Sequence, residues 1–508
     1  MQNSAKHLIA ALIGFAVLVV STLIVRDWNR DIWAATLSVA YTLGFSAVLS
    51  VICIIIAVKY KTTRRYFISL CMVMVCQSFA ELYIGLHDHL YGMNVSAATT
   101  LPIPEIAYLG AEVFLAALCA RLWYEEIDKT AVNRRKTAAV STAAVLVIVA
   151  IGAAGILGGV PVLSGIPYLV TEAAILCYSA RFLFVPKAAA KPFLPLMVLL
   201  SVYAVCSTAL TFIIPLLPGA ADELVYYLLT CPLMLIVMLF IPALVYAGER
   251  MTAAGKNRAA GDGMTGDGAS GDGESGDGAA NESTALPETG ERKPVRTSRS
   301  SPLSKKNICL ILLFFLLGLF VCFIAGYVNS FIAGALGISM VEQTVVTAPI
   351  AEECLKAVPV LLFFLLIRPD FKTLLSAAIA VGAGFGVLET IQYAIAGYSL
   401  PAEILLRLFS TGIMHALTVS LFAASLWYVT QKGLTRSWFI TVMCGFGIIA
   451  GGITLHGCFN MLINSTGPTH YIGLFIPIVI AIGYAACFCI WNRRMKQRGE
   501  TEAGGRLR

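Results

Sequence analysis

TAPIAEECLKAVPV, residues 347–360, is the stretch on which the reading of this chain turns. Two adjacent carboxylates, Glu352 and Glu353, stand inside an apolar run over 341–367. At ~1.5 Å per residue such a run crosses the roughly 30 Å hydrocarbon layer of a bilayer. A charged side chain at bilayer depth costs roughly 2.5–3.5 kcal/mol on insertion scales, so an acid pair there points to a functional site. Lys356 follows Glu352 by four residues, on nearly the same helix face, and is expected to pair with it. The competing explanation is a structural ion pair that ties helices together.

Composition agrees with a membrane setting. Of 508 residues, 58% are hydrophobic and 13% charged. That excludes an ordinary soluble domain and predicts an all-α polytopic membrane protein in a lipid bilayer. The net charge of +7 does not imply nucleic acid as a partner, because the basic residues gather in short loops where they set topology. The 14 cysteines fall in apolar runs without a loop CxxC pair. They read as small buried hydrophobes, with no disulfide framework or zinc knuckle.

Apolar segments predict about fourteen transmembrane helices, eight before a central linker and six after it. The first eight lie near 8–25, 33–58, 67–86, 103–124, 138–157, 163–183, 193–216 and 224–247. The last six lie near 308–332, 341–367, 374–396, 404–429, 439–463 and 471–491. The first run is read as a retained span, since no small-residue cleavage site follows it. Basic clusters occur at alternate loops, which places both termini and the linker in the cytoplasm. The domain limits follow as 1–248, an N-terminal eight-span block; 249–306, the linker; 307–498, the C-terminal block; and 499–508, a disordered tail. The linker carries GDGMTGDGASGDGESGDG at 261–278. Nothing in it can nucleate a core, so it is expected to be disordered. LPETG at 286–290 matches a sortase-recognition string, but its mid-chain, cytoplasmic place makes coincidence the better reading.

The N-terminal block carries few chemical signals, and the sequence assigns it no function. Glu81, Glu112 and Glu172 lie within or near apolar runs. His87, Asp88 and His89 fall at the expected outer surface. They read as a wet interfacial loop, with metal binding or pH sensing as the sharper alternative.

Chemistry concentrates in the last six spans. After Glu352, Glu353 and Lys356 come Phe385 and Glu389, then His415, then His456 and Asn460. Phe385/Glu389 and His456/Asn460 are each spaced by four and share a helix face. Counted from the outer ends of their spans, the ionisable groups lie about seven to eleven residues in, a common depth at ~1.5 Å per residue. Gly382, Gly384 and Gly386, with Gly445, Gly447, Gly451 and Gly452, allow close helix approach. Carboxylates with histidines and an amide suit hydrolysis of an amide bond. A carboxylate can act as general base on water, and His and Asn donors can stabilise an oxyanion. The same groups suit zinc, with His415, His456 and Glu389 as ligands, although no HExxH motif is present.

These residues resemble the PrsW family of intramembrane proteases, relatives of the CAAX-type prenyl-protein endopeptidases. The resemblance rests on EExxK at 352–356, GxGFGxxE at 382–389, the stretch from Arg407 to His415, and HxxxN at 456–460. It covers the C-terminal block only. It implies that Glu352 and Glu353 activate water, that Glu389 and His415 complete the site, and that His456 and Asn460 bind the substrate carbonyl or oxyanion. Lys356 and Arg407 are expected as supporting ion-pair partners. The implied activity is intramembrane cleavage of a membrane-anchored protein near the outer face of a bacterial cytoplasmic membrane, in signalling, on an anti-sigma-factor-like substrate. Against it stand a non-catalytic receptor or scaffold of the same shape, and a proton-coupled transporter using the acids and histidines as a relay.

Overall fold

A computed structural model describes residues 2–28, 32–60, 63–91, 103–127, 132–160, 162–185, 192–213, 216, 233–253, 305–395, 401–431 and 438–504. Among these residues the chain is helical and contains no strand. In chain order the helices are α1 (Gln2–Trp28), α2 (Ile32–Lys59), α3 (Arg64–Tyr91), α4 (Ile103–Glu126), α5 (Arg134–Leu157), α6 (Val162–Arg181) and α7 (Leu194–Phe212). They continue with α8 (Leu233–Ala253), α9 (Lys305–Leu336), α10 (Ala348–Ile367), α11 (Phe371–Ile395), α12 (Pro401–Gln431), α13 (Trp438–Ile463) and α14 (Pro468–Gly504). The protein is an all-α polytopic membrane protein, and 10 of its helices contain a described stretch long and apolar enough to cross a bilayer. α10 is a special case: within 20 residues it carries Glu352, Glu353 and Lys356.

The linker expected at 249–306 lies outside the described residues from 254 to 304, and so does LPETG at 286–290. Residues 249–253 instead close α8, and Lys305 opens α9. α14 is helical through Gly504, past the point expected to begin a tail. The His87 region is also helical. α3 runs to Tyr91, and His87 is buried against Tyr83, with ring centroids 6.1 Å apart. The side chains of Asp88 and His89 lie outside the described residues.

Glycines set the helix crossings that build the C-terminal block. A Cβ on Gly384 would stand 2.1 Å from the Phe315 carbonyl oxygen, and one on Gly318 would stand 2.1 Å from that of Val381. α9 and α11 therefore touch backbone to backbone. On its other side α11 meets α12, where a Cβ on Gly382 would lie 2.4 Å from the His415 carbonyl oxygen. The GxGFG run is thus the seam that brings Glu389 to His415.

The N-terminal block packs on the C-terminal block along α13. Gly447 accommodates the Phe114 ring of α4, and Gly457 accommodates Tyr83 of α3. The far faces of α9 and α10 remain apolar and open, with Leu316, Phe320, Leu362 and Leu366 exposed. In a membrane protein those faces meet lipid. At one end of the bundle Arg65, at the start of α3, bridges Glu125 and Glu126 near the end of α4, each at 2.5 Å.

Candidate active site

α10 does not begin as a simple helix. A capped turn, Met340–Glu342, leads into a π-helical segment, Gln343–Thr347, and only then into α10. Pro349 gives a physical reason. It has no N–H, so the carbonyl four residues back (Val345) loses its α-helical donor, and the one five back (Thr344) loses its π-helical donor. Both carbonyls are satisfied by side chains from other helices. Tyr83 Oη donates to Val345 O at 2.9 Å, and Asn460 Nδ2 donates to Thr344 O at 2.9 Å. The irregular backbone is thereby held in place about two turns before the two acids.

The acids then part company. Burial does not separate them, since Glu352 is 7% exposed and Glu353 6%. Hydrogen bonding does. Glu353 Oε1 accepts from Lys356 Nζ at 2.5 Å and lies 2.8 Å from His456 Nδ1. Lys356 therefore pairs with Glu353, three residues away, and not with Glu352 as the four-residue spacing suggests. Lys356 is fully buried, its Nζ also lies 2.6 Å from His415 Nδ1, and it sits 4.7 Å from the centroid of the Phe385 ring. That ring supplies a cation–π floor. Glu352 is held differently: Asn329 Nδ2 of α9 donates to its Oε1 at 3.0 Å, while Oε2 has no hydrogen-bond partner.

The histidines complete the group. His415 Nε2 lies 2.5 Å from Glu389 Oε2, and Glu389 is the most open of the three acids, at 14% side-chain exposure. The rings of His415 and His456 meet edge to face, 5.0 Å between centroids. Because Glu353 is an acceptor, His456 Nδ1 carries a ring hydrogen, and in the neutral ring Nε2 is left with a lone pair. That nitrogen faces Glu352 Oε2 at 3.7 Å, and it too has no hydrogen-bond partner. One ligand atom each from Glu352, His415 and His456 lies within 4.8 Å of the others.

Three carboxyl groups and one ammonium thus share a buried site, and two atoms without hydrogen-bond partners face each other. Such a site calls for a positive species. Two imidazoles and a carboxylate are a donor set that suits zinc. The set differs from the one expected by including Glu352 in place of Glu389. His415 has a partner on each nitrogen, so it joins a metal only by exchanging one of those bonds. Glu353 on His456 Nδ1 is the carboxylate–histidine support that metal ligands usually have.

Of the residues expected in the site, Glu352, Glu353, Lys356, Glu389, His415 and His456 come together. Asn460 does not point its amide into the group, because Thr344 O takes that hydrogen bond. Arg407 lies with its guanidinium carbon 3.7 Å from the centroid of the Tyr393 ring, so among the described residues it is placed on an aromatic face. Sequence reasoning missed Asn329 and Tyr83. The signal for Asn329 is a lone amide in the most apolar of the spans; Tyr83 left none.

The fold and this group define a polytopic membrane protein with a buried carboxylate–histidine centre suited to metal binding. Residues 306–482 match the sequence profile of a family described as PrsW family intramembrane metalloprotease. The matched region is the C-terminal block, and it supports a membrane protease with a membrane-protein substrate in the bilayer. Comparisons with curated proteins and with solved structures returned no match.

Proposed function

We propose that the chain is an intramembrane endopeptidase whose reaction centre is Glu352, Glu389, His415 and His456. The observation that carries this is the unpartnered pair Glu352 Oε2 and His456 Nε2, 3.7 Å apart beside His415. Glu352, His415 and His456 would hold a zinc ion. When bound, zinc polarises a carbonyl and lowers the pKa of water.

The protein's own groups have separate tasks. Glu353 is a positioning residue, gripping Lys356 and fixing the His456 tautomer. Lys356 places a positive charge against His415 and offsets part of the acid excess. Glu389, joined to His415 and the most open acid, is placed to take a proton from water and pass it to the leaving amine. Asn329 holds Glu352 by one oxygen and leaves the other available. Asn460 and Tyr83 hold the backbone before the acids. A cavity with room for about one water lies against Glu353, between Ala357, Thr418, Phe422, Ile448 and Gly452.

The substrate is a membrane-anchored protein, for which a regulatory, anti-sigma-factor-like protein is the expected class. Loop charge supports cytoplasmic termini and cleavage in the outer half of a bacterial cytoplasmic membrane. The test is quantitative proteomics of membrane-protein fragments in cells carrying wild type or Glu352→Gln/Glu353→Gln. Fragments present only with wild type support proteolysis and name the substrate. Identical fragment sets contradict it.

A further inference from the structure

α12 carries two polar groups that the hydrolytic reading leaves unused, and both lie on the stripe that leads to His415. Arg407, Thr411 and His415 follow at intervals of four, each about 40° further round the helix and ~6 Å along it. Thr411 is 2% exposed, and its hydroxyl has no hydrogen-bond partner among the described residues. A serine or threonine within a helix can donate to the carbonyl three or four residues back, as Thr390, Thr418, Ser420 and Thr454 do here. Thr411 does not. Arg407 is half-buried, and its buried Nε is likewise without a partner among the described residues.

The acids of the reaction centre do not occupy Arg407. Glu352, Glu353 and Glu389 have Asn329, Lys356 and His415 as their partners. The guanidinium lies instead on the Tyr393 ring, its carbon 3.7 Å from the centroid. Tyr393 follows Glu389 by four residues on α11, and the charges of Glu389 and Glu352 act on it. The Arg407–Tyr393 stack therefore stands one to two turns from the Glu389–His415 contact, about 6–12 Å along the helices. An extended strand crosses that distance in about two to four residues. A guanidinium stacked by its face keeps its planar edge for a bidentate bond to a carboxylate.

We propose that Arg407 and Thr411 form the substrate-binding track on the Pro401 side of the reaction centre, with Arg407 selecting an acidic side chain of the substrate at that distance from the cut bond. The inference rests on the endopeptidase reading and adds a substrate class to it: a membrane-anchored protein with Asp or Glu beside the scissile bond. Loop charge supports the outer side for this end of α12. Thr411 donates its hydroxyl to a backbone carbonyl of the bound strand, between Arg407 and the reaction centre. Tyr393 is a positioning residue that holds the guanidinium flat. Ser410 is also buried and unpartnered, but it stands about 140° from His415 around α12, off the stripe.

The test co-expresses the full chain with doubly tagged single-span proteins randomised across the outer half of the span, and reads the cut sites by mass spectrometry. Wild type should cut members with Asp or Glu at the selected position about tenfold faster than members with Ala there, the scale of one charge-assisted hydrogen-bonded pair. Arg407→Gln should still cut but lose that preference. Arg407→Lys keeps the charge without the planar fork and should retain only part of it; should Arg407→Gln fail to fold, Arg407→Lys carries the comparison. With purified chain and one preferred member, Thr411→Val should raise KM and leave kcat unchanged, while Ser410→Ala alters neither. A wild type indifferent to charge, or an acid preference undiminished in the Arg407 variants, overturns the inference and leaves the endopeptidase reading standing. An unchanged KM in Thr411→Val removes Thr411 from the track. Cleavage of no member by wild type overturns both readings.

Discussion

His456 Nε2 faces Glu352 Oε2 across 3.7 Å, and neither atom has a hydrogen-bond partner. Each belongs to a side chain fixed from its other end, His456 by Glu353 and Glu352 by Asn329. Two aligned acceptors cannot satisfy each other. With His456 neutral and donating through Nδ1, this contact leaves two acceptors unmet, the arrangement a metal ion would satisfy.

The first prediction concerns metal. Wild-type protein purified without chelator should carry about one zinc per chain. Glu352→Gln and His456→Ala should each lose it. Glu353→Gln, which leaves the proposed ligands in place, should weaken binding by roughly 10–100-fold, the usual effect of losing a carboxylate behind a ligating histidine. Elemental analysis at graded chelator concentrations reads this. Equal zinc in wild type and His456→Ala would remove His456 from the set.

A second prediction isolates the π segment. Tyr83→Phe deletes one hydroxyl from a fully buried ring and leaves Val345 O without its donor. An unsatisfied buried acceptor costs about 1–3 kcal/mol, so Tm should fall. Because Val345 lies about two turns before Glu352, substrate cleavage should fall as well while zinc content stays unchanged. Unaltered cleavage and Tm would show that the N-terminal block has no hold on this segment.

A third concerns the α9–α11 crossing. Gly384→Ala puts a methyl group 2.1 Å from the Phe315 carbonyl oxygen, a backbone atom that cannot swing aside. Overpacking of this kind costs about 1–3 kcal/mol or more. Expression and Tm should both drop. Gly445→Ala has nothing within 4 Å of its new Cβ and should be tolerated.

How far the sequence foretold these contacts depends on what fixes each one. Span positions were legible, because the bilayer imposes a minimum apolar length on every helix. The shared depth of Glu352, Glu389, His415 and His456 was legible for the same reason. The partner of Lys356 was not. Residues three and four apart both lie on its face, and the choice of Glu353 is made by His415 and His456 arriving from α12 and α13. The contact of Asn460 was not legible either, because it follows from Pro349, whose missing N–H leaves a carbonyl to be capped 116 residues away in sequence. The Arg407–Tyr393 stack, and the replacement of Glu389 by Glu352 in the metal-competent group, likewise depend on tertiary packing that has no local signature.

A fourth prediction lies outside the bilayer. Asp370 precedes α11 and accepts from the Lys372 and Thr373 N–H groups at 3.0 and 3.2 Å, and from the Thr373 hydroxyl at 2.6 Å. Partial burial pushes its carboxyl up, but these bonds outweigh that and hold it below the ordinary aspartate range. A depressed carboxyl adds stability above its unfolded value and loses it as pH falls through the folded one. Asp370→Ala should therefore cost about 0.5–1 kcal/mol at neutral pH, and its Tm deficit should close below about pH 4. A deficit that persists in acid would mean the cap is not what stabilises this turn.

The most direct test of the central claim compares substrate fragments in membranes from cells carrying wild type, Glu352→Gln or Glu389→Gln, each expressed at equal level. The account predicts that both variants fold, give wild-type Tm within a few degrees, and release no fragments. Fragment yield at the wild-type level in Glu352→Gln would contradict it, and would return the acid pair to the role of helix packing.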